Sequence, residues 1–308
     1  MYEQKVNCVT FTVIVKVNGN VNGGWGEDII STIKKIRLPD STMRAYISGQ
    51  ALRRMSRDQL KSMGYHISSK IPESVTNEKQ PIPTETDPEK NIDDDLYGYM
   101  KTGKKGKKDE STISRISPVR VSPAISFFPY NFERDLGLQN NNDIGKSNRF
   151  YETEISDNFY VYTVLIEMDR IGRGGFKQFI SDNEKKNRIK AVIKSYQHLW
   201  GGGKQSRLLS DMSPKFIIYQ SQIIKKPSYL DYVLMDEDRN IDVNLLKNGY
   251  LNSRDISVNT IVGIDTIIKN HNELDVTGIK NILNINEAFD AIYKDIDSLQ
   301  ISELNEQN

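Results

Sequence analysis

Hydrophobic and polar residues alternate along the first segment of the chain, Val6–Val17. Every odd-numbered position from Val9 onward is apolar, whereas Thr10 and Thr12 lie on the opposite side of an extended chain. A period of two residues is typical of a strand with one face buried. The segment Asn18–Gly26 that follows is too rich in glycine for regular structure, so it predicts a loop.

Later segments predict both helices and strands. Ser48 is a favourable N-cap residue for a helix whose apolar stripe includes Leu52 and Met55 and which stops at Gly64. Further predicted elements are a central strand at Phe159–Met168, a capping box at Ser181–Glu184 that opens a helix, strands at Lys215–Gln220 and Ser257–Ile264, and a helix at Ile285–Ile296. This order favours an α+β fold with a ferredoxin-like or RRM-type core.

The composition changes between about residues 71 and 110. This stretch is rich in proline, has few apolar residues, and contains Lys101, Lys104, Lys105, Lys107 and Lys108. Such a composition cannot support a packed core, so a mobile insertion is expected near residues 72–112. Deleting Pro72–Lys108 is therefore expected to change stability little.

Charge is distributed unevenly, although the net charge is only +1. Residues 231–308 hold 15 acidic and 6 basic side chains, which leaves 36 basic against 26 acidic side chains in the first 230 residues. This pattern is typical of a basic binding face that an acidic tail or a subunit contact offsets, although ordinary solvated charge is the alternative.

The first candidate binding segment is Ser31–Lys61. Its basic residues are Lys34, Lys35, Arg37, Arg44, Arg53, Arg54, Arg57 and Lys61. Within the predicted helix, Arg53, Arg57 and Lys61 repeat every four residues and so form one stripe. The helix begins with Ser48, Gly49 and Gln50, where free backbone N–H groups favour a phosphate and a glycine permits close approach. The alternative is a solvated face with an ordinary cap.

The second candidate segment is Lys185–Arg207, which contains no acidic residue. Its end, Gly201, Gly202, Gly203, Lys204, Gln205, Ser206 and Arg207, suits contact with a sugar-phosphate chain. The spacing does not match a P-loop, and the glycines follow a helix instead of opening one. A flexible helix terminus is the alternative interpretation.

Signals for catalysis or for a membrane segment are weak. The three histidines lie far apart, the single cysteine Cys8 lies in an apolar run, and neither nucleophile nor dinucleotide motifs occur. Glu27 and Asp28 stand in the first glycine loop without a nearby acidic or histidine companion. No cofactor, no metal, no membrane partner and a cytoplasmic location are expected.

The chain resembles the DevR-type CRISPR-associated backbone subunit of type I-B-like Cascade complexes. The resemblance rests on the Asn18–Gly26 loop with Asn18 and Asn22, on Tyr46–Arg54, on Arg120–Ile125, on Phe159–Gly172 and on Gly201–Arg207. It implies a modified RRM core with finger- and thumb-like insertions. The core would then be formed by residues 1–70 and 151–308, the finger-like lobe by residues 71–150, and the thumb-like element by part of residues 222–260, before an acidic C-terminal helix.

The resemblance also implies a function. A non-catalytic protein would polymerise along a guide RNA (crRNA), grip its backbone and leave its bases to pair with target DNA beside other Cascade subunits. Related RNA-targeting complexes use an aspartate in the comparable loop, so cleavage of target RNA by Asp28 is the alternative. An isolated regulator that binds single-stranded RNA is a third possibility.

Overall fold

Strand pairing around the first strand organises the protein, which we describe from a computed structural model. The structure describes residues 5–25, 30–68, 70–71, 82–83, 85–101, 113–139, 149–175, 177–203 and 205–302. The predictions for Lys204, Glu27, Asp28 and the lysines at 104–108 therefore lie outside the described residues. No helix of the described part is long and apolar enough to cross a membrane.

The secondary structure mixes many strands with five α-helices in the described ranges. The strands are β1 (Cys8–Gly19), β2 (Gly23–Trp25), β3 (Ile30–Ile33), β4 (Lys35–Arg37), β5 (Met43–Ile47), β6 (Lys70–Ile71), β7 (Ile82–Pro83), β8 (Tyr99–Lys101), β9 (Ile113–Arg115), β10 (Val119–Val121), β11 (Ala124–Ser126), β12 (Glu133–Gln139), β13 (Arg149–Glu167), β14 (Arg173–Gly174), β15 (Lys177–Gln178), β16 (Pro214–Gln222), β17 (Ser257–Ile264) and β18 (Asn281–Asn284). The helices are α1 (Gly49–Ser62), α2 (Ile92–Tyr97), α3 (Asp182–Gln197), α4 (Val243–Leu251) and α5 (Ile285–Ser298), with 3-10 turns at Met168–Arg170 and His271–Thr277.

One large sheet has the order β18-β17-β16-β1-β13-β11-β5-β4. Its central strand β1 pairs antiparallel with β13 on one side and β16 on the other, so that Phe11 lies between Val164 and Tyr219. Only β17 and β18 pair in parallel along this path. The expectation of a mixed fold with a large sheet and helices is confirmed.

The strand β1 is buried on both faces, which corrects the expectation of one buried face. Thr10 and Thr12 are each only 1% exposed. Helices α1, α3 and α5 cover one face of the sheet, and a second core that includes Ile14 and Leu246 covers the other. The threonine hydroxyls fit this interior because Thr12 Oγ1 lies 2.8 Å from Thr163 Oγ1. Buried hydroxyls with hydrogen-bond partners are tolerated in a core, so their polarity misled the periodicity argument.

The predicted helix starts are confirmed. The Ser48 hydroxyl accepts a hydrogen bond from the Ala51 N–H at 3.3 Å at the start of α1. At the start of α3, the Ser181 hydroxyl accepts one from the Glu184 N–H at 3.2 Å. Each cap satisfies one N–H group that has no partner within the helix.

The inserted lobe contributes to the core, contrary to expectation. All six residues of α2 are buried, and Ile92, Leu96 and Tyr97 belong to the main core. The Asp95 carboxylate is fully buried, forms ion pairs with Arg115 and with Arg188 at 2.8 Å, and accepts the Gly172 N–H at 3.0 Å. The expectation that residues 72–108 contribute nothing to the core is therefore wrong for residues 85–101, because Asp93 and Asp95 pair with arginines elsewhere in the chain.

We expect Asp95→Ala to lower the free energy of unfolding by about 3–5 kcal/mol, because it leaves two buried guanidinium groups without the carboxylate they share. Chemical denaturation of the full chain measures this. The control is Asp58→Ala, which removes the exposed i, i+4 partner of Arg54 and should cost less than about 1 kcal/mol. Equal, small losses in the two variants would contradict this account of the lobe.

Candidate RNA-binding interface

Three segments that are far apart in sequence meet at one surface. The Asn22 side-chain amide donates to the Ser48 hydroxyl at 3.4 Å, which joins the first loop to the start of α1. A Cβ atom built at Gly202 would lie 2.4 Å from the Val21 carbonyl oxygen and 3.2 Å from the Met55 sulfur. We call this surface the glycine face and define it as residues 20–22, 48–50 and 201–203. It contains no acidic residue.

The glycine turn adopts a backbone conformation that other residues rarely tolerate. Gly201, Gly202 and Gly203 have φ angles of +125°, +73° and +40°. Gln205 fixes the turn, because its amide donates to the Gly201 carbonyl at 2.8 Å and accepts the Ser210 N–H at 3.0 Å. The Ser210 hydroxyl in turn donates to the carbonyl of Asn18, whose side chain is exposed. The three glycines and Gln205 thus form one turn, as the sequence suggested. The glycines allow the backbone of this turn to approach the first loop of the protein closely.

At the start of α1, the Gly49 and Gln50 N–H groups have no hydrogen-bond acceptor among the described residues. Its first turn contains no acidic residue, and the Gln50 side chain is exposed. Unpaired N–H groups and the positive end of the helix dipole favour an anion here. Gly49 has a structural reason to be small, since a Cβ atom there would lie 2.4 Å from the Val121 carbonyl oxygen. The packing of α1 against β10 therefore requires a glycine at position 49, independently of any contact with RNA.

Two of the three residues of the expected basic stripe on α1 contact the inserted lobe. The guanidinium groups of Arg53 and Arg57 lie 5.3 and 5.2 Å from the centre of the Tyr97 ring, and Arg57 is also 3.6 Å from the Asp93 carboxylate. Burial and the neighbouring Arg57 charge lower the pKa of Arg53. Arg53 and Arg57 are half-buried and hold the inserted lobe against α1. Arg54 remains exposed beside Asp58, and Lys61 is exposed.

Basic residues near the sheet edge are also engaged. Lys35 lies 4.5 Å from the centre of the Tyr130 ring and 3.8 Å from the Glu154 carboxylate. Arg37 donates to the Ser41 carbonyl at 3.1 Å, and Arg44 donates to the Phe127 carbonyl. Lys34 has no ion pair with any described residue and is half-buried. Lys35, Arg37 and Arg44 thus hold the β4–β5 edge, and Lys35 and Arg37 remain exposed to solvent.

The second basic segment is neutralised in much the same way. Lys185 and Arg188 are buried, and Lys190 pairs with Asp297 of the acidic C-terminal helix at 2.6 Å. Arg207 lies 4.5 Å from the centre of the Tyr151 ring and 3.6 Å from Asp135, where it braces the β12–β13 ribbon. The net positive charge of the first 230 residues therefore overstates the free positive surface.

Within the described ranges, no group of three or more His, Cys, Asp or Glu side chains could hold a metal ion. Burial raises the pKa of the Cys8 thiol to about 12, so this thiol is not a reactive group.

Comparison with known proteins identifies the family. A family model described as "CRISPR-associated negative auto-regulator DevR/Csa2" matches residues 21–228, which is more than half of the chain. The chain belongs to this family. No curated protein matches it.

Two solved structures share the fold of this DevR/Csa2-family chain. A chain of a complex described as "CRISPR RNA-guided surveillance complex, pre-nicking" has a TM-score of 0.64 at 11% identity, and covers 94% of this chain and 100% of that chain. A chain of a "CRISPR RNA-guided surveillance complex" has a TM-score of 0.58 at 14% identity, and covers 94% and 99%. At these identities the likeness establishes the fold.

The glycine turn gives a sharp test in this family member. We expect Gly202→Ala to reduce RNA affinity and to destabilise the chain by more than the roughly 1 kcal/mol expected for left-handed backbone strain alone, because its methyl group meets the Val21 carbonyl. Gly64→Ala is the matched control, since Gly64 has a φ angle of +88° with nothing within 4 Å of the added atom. Chemical denaturation and an RNA-binding titration on both variants measure the difference. Indistinguishable behaviour of the two would show that the contact with the first loop is unimportant.

Proposed function

We propose that this protein is a non-catalytic backbone subunit of a CRISPR surveillance complex of the Cascade type. Copies of it would line up along one guide RNA beside other subunits, grip the sugar-phosphate chain and leave bases free to pair with target DNA. The observation that carries the proposal is the convergence of the first loop, the start of α1 and the glycine turn at one face without acidic residues.

The chemistry of the glycine face suits a phosphate backbone more than a base sequence. Its donors are backbone N–H groups at the start of α1 and the side-chain amides of Asn22 and Gln50. Contacts of this kind fix position and register without reading sequence. A subunit that binds guide RNAs of any sequence requires contacts of this sequence-independent kind, and base pairing of the guide then supplies the specificity for the target.

The family and the fold neighbours support this role. The two solved chains of similar fold come from RNA-guided surveillance complexes, and both are covered almost completely. An RRM-type core is part of the proposal, and the antiparallel arrangement β16-β1-β13 with α1 and α3 on one face supports it. The finger-like lobe, the thumb-like element within residues 222–260 and the cytoplasmic location also belong to it. Co-elution of the purified protein with small RNAs of uniform length tests the proposal as a whole.

A charge placed at the start of α1 tests the phosphate contact. We expect Gln50→Glu to weaken binding of RNA of any sequence and to reduce the salt slope of log K by about 0.7 for each phosphate that the variant no longer binds. Stability should be unchanged or slightly raised, because an acidic residue in the first turn is favourable for the helix dipole.

Asn244→Asp is the matched control for this charge. It places an acidic side chain at an exposed position in the first turn of α4, which, like α1, has no acidic residue there. RNA affinity should be unaffected by it. If Gln50→Glu binds RNA with an unchanged salt slope, the start of α1 is not a phosphate contact.

The alternative, cleavage of target RNA by Asp28, is separable by experiment. Metal-dependent hydrolysis requires carboxylates that hold a divalent ion or activate a nucleophile. We expect the assembled complex to leave labelled complementary RNA intact in the presence of Mg²⁺, as judged by denaturing gel. Regularly spaced cuts that disappear in Asp28→Ala, but persist in Asp40→Ala, would move this protein to the RNA-cleaving class.

A further inference from the structure

A cavity of about 410 Å³ lies where the inserted lobe meets the end of β13, away from the glycine face. Its lining includes Arg115, Arg170 and Arg173, together with Tyr99 and Ile116. None of the described residues that line it is acidic. None of these residues belongs to the glycine face, and the proposed guide-RNA contact does not use them.

Arg173 is the residue that distinguishes this cavity from an ordinary cluster of ion pairs. It is only 8% exposed, and its guanidinium donates to the neutral Gln178 amide oxygen at 3.3 Å. Its Nε has no hydrogen-bond acceptor among the described residues, and Arg173 forms no ion pair with a described carboxylate. Against the effect of burial, the Gln178 amide and the charges of Lys185 and Arg173 lower the pKa of the Asp182 carboxylate, so Arg173 has an acidic neighbour beyond ion-pair distance. Its guanidinium therefore keeps N–H donors that a bound anion can engage.

The other two arginines have complementary roles. Arg115 is consumed by the protein, because it pairs with Asp95 and donates to the carbonyls of Arg170, at 3.0 Å, and Arg173. It therefore positions the backbone of its two neighbours. Arg170 pairs with Glu167 through Nη1 at 2.9 Å and retains further N–H donors. Arg170 and Arg173 are thus the groups that can bind a ligand.

Charges of both signs lie around Arg173. Lys185, which is only 1% exposed, lies close enough to Arg173 that burial and then this neighbouring charge both lower the pKa of Lys185, against the opposing charge of Asp182. Among the buried carboxylates of this region, Asp95 pairs with two arginines, Glu167 with Arg170 at 2.9 Å and Asp169 with Lys225 at 2.7 Å.

We propose that this cavity binds a phosphate group carried by a nucleotide unit. Guanidinium forks match phosphate oxygens in geometry as well as in charge. The cavity volume is that of a small-molecule site and is larger than one carboxylate group would fill. The Tyr99 ring in the lining offers a surface on which a base can stack. The phosphate can come from a free nucleotide or from a nucleic-acid strand that passes the lobe.

Titration of the full chain with inorganic phosphate and with AMP, followed by calorimetry, tests the site. The wild-type chain should bind both, AMP more tightly. Arg173→Gln should weaken both affinities about tenfold or more, whereas Arg173→Lys, which keeps the charge but loses the fork, should weaken them less. The control is Arg254→Gln, at an exposed position outside the cavity, which should bind like wild type.

If Arg173→Gln does not fold, as judged by its thermal melt, Arg170→Gln carries the test with an expected loss of about tenfold. A short single-stranded oligonucleotide separates the two sources. If a strand phosphate occupies the cavity, the salt slope of log K for oligonucleotide binding should fall by about 0.7 in Arg173→Gln. An unchanged slope with weakened AMP binding assigns the cavity to a free nucleotide.

Wild-type protein that binds neither phosphate nor AMP would overturn the proposal, as would affinities that Arg173→Gln and Arg170→Gln leave unchanged. Binding of an acidic peptide in place of both ligands would also overturn it and would assign the arginines to a protein carboxylate. Guide-RNA co-elution should persist in Arg173→Gln, so failure here is distinguishable from failure of the guide-RNA proposal.

Discussion

The buried carboxylate of Asp95 fixes much of what lies around it. It neutralises Arg115 and Arg188 and accepts the Gly172 N–H, so one side chain joins α2, β9, α3 and the turn after β13. Because α2 is held there, Tyr97 lies beneath Arg53 and Arg57 of α1. Because Arg115 is held there, it can bind the carbonyls of Arg170 and Arg173. The lobe is therefore attached to the core by charge as well as by apolar packing.

This use of charge changes how the basic content of the chain should be interpreted. Long Arg and Lys side chains bury apolar stems and carry donors that can satisfy carbonyls far away in sequence. Arg53, Arg57, Arg188 and Lys190 all serve contacts between elements. If the glycine face binds RNA, it does so with backbone donors and neutral amides, supplemented by a few exposed cations. That arrangement suits a subunit that must hold RNA in a fixed path without condensing onto every nucleic acid it meets.

Local patterns predicted the framework well, because their physical causes are local. Alternation along β1, the apolar second half of β13 and the caps at Ser48 and Ser181 depend on residues within a few positions of one another, whereas the polar first half of β13 was not predicted. The burial of both faces of β1 was missed because most of the segments that cover the second face come much later in the chain. The packing of α2 was missed for the same reason, since the arginine partners of Asp95 lie 20 and 93 positions away.

The candidate site shows the same division between residue identity and residue role. The sequence singled out Gly49, Gly202 and Gln205, and the structure brings their segments to one face or one turn. The sequence could not reveal that Gly49 packs against the Val121 carbonyl and Gly202 against the Val21 carbonyl, because each contact joins segments that are far apart along the chain. A glycine required by internal packing still shapes what lies outside it. The Val21 carbonyl can approach the turn only when position 202 lacks a Cβ atom, and the neighbouring Asn22 joins the same loop to the start of α1. In the proposed complex the glycines would thus act on RNA indirectly, by fixing the spacing between the loop amide of Asn22 and the N–H groups at the start of α1.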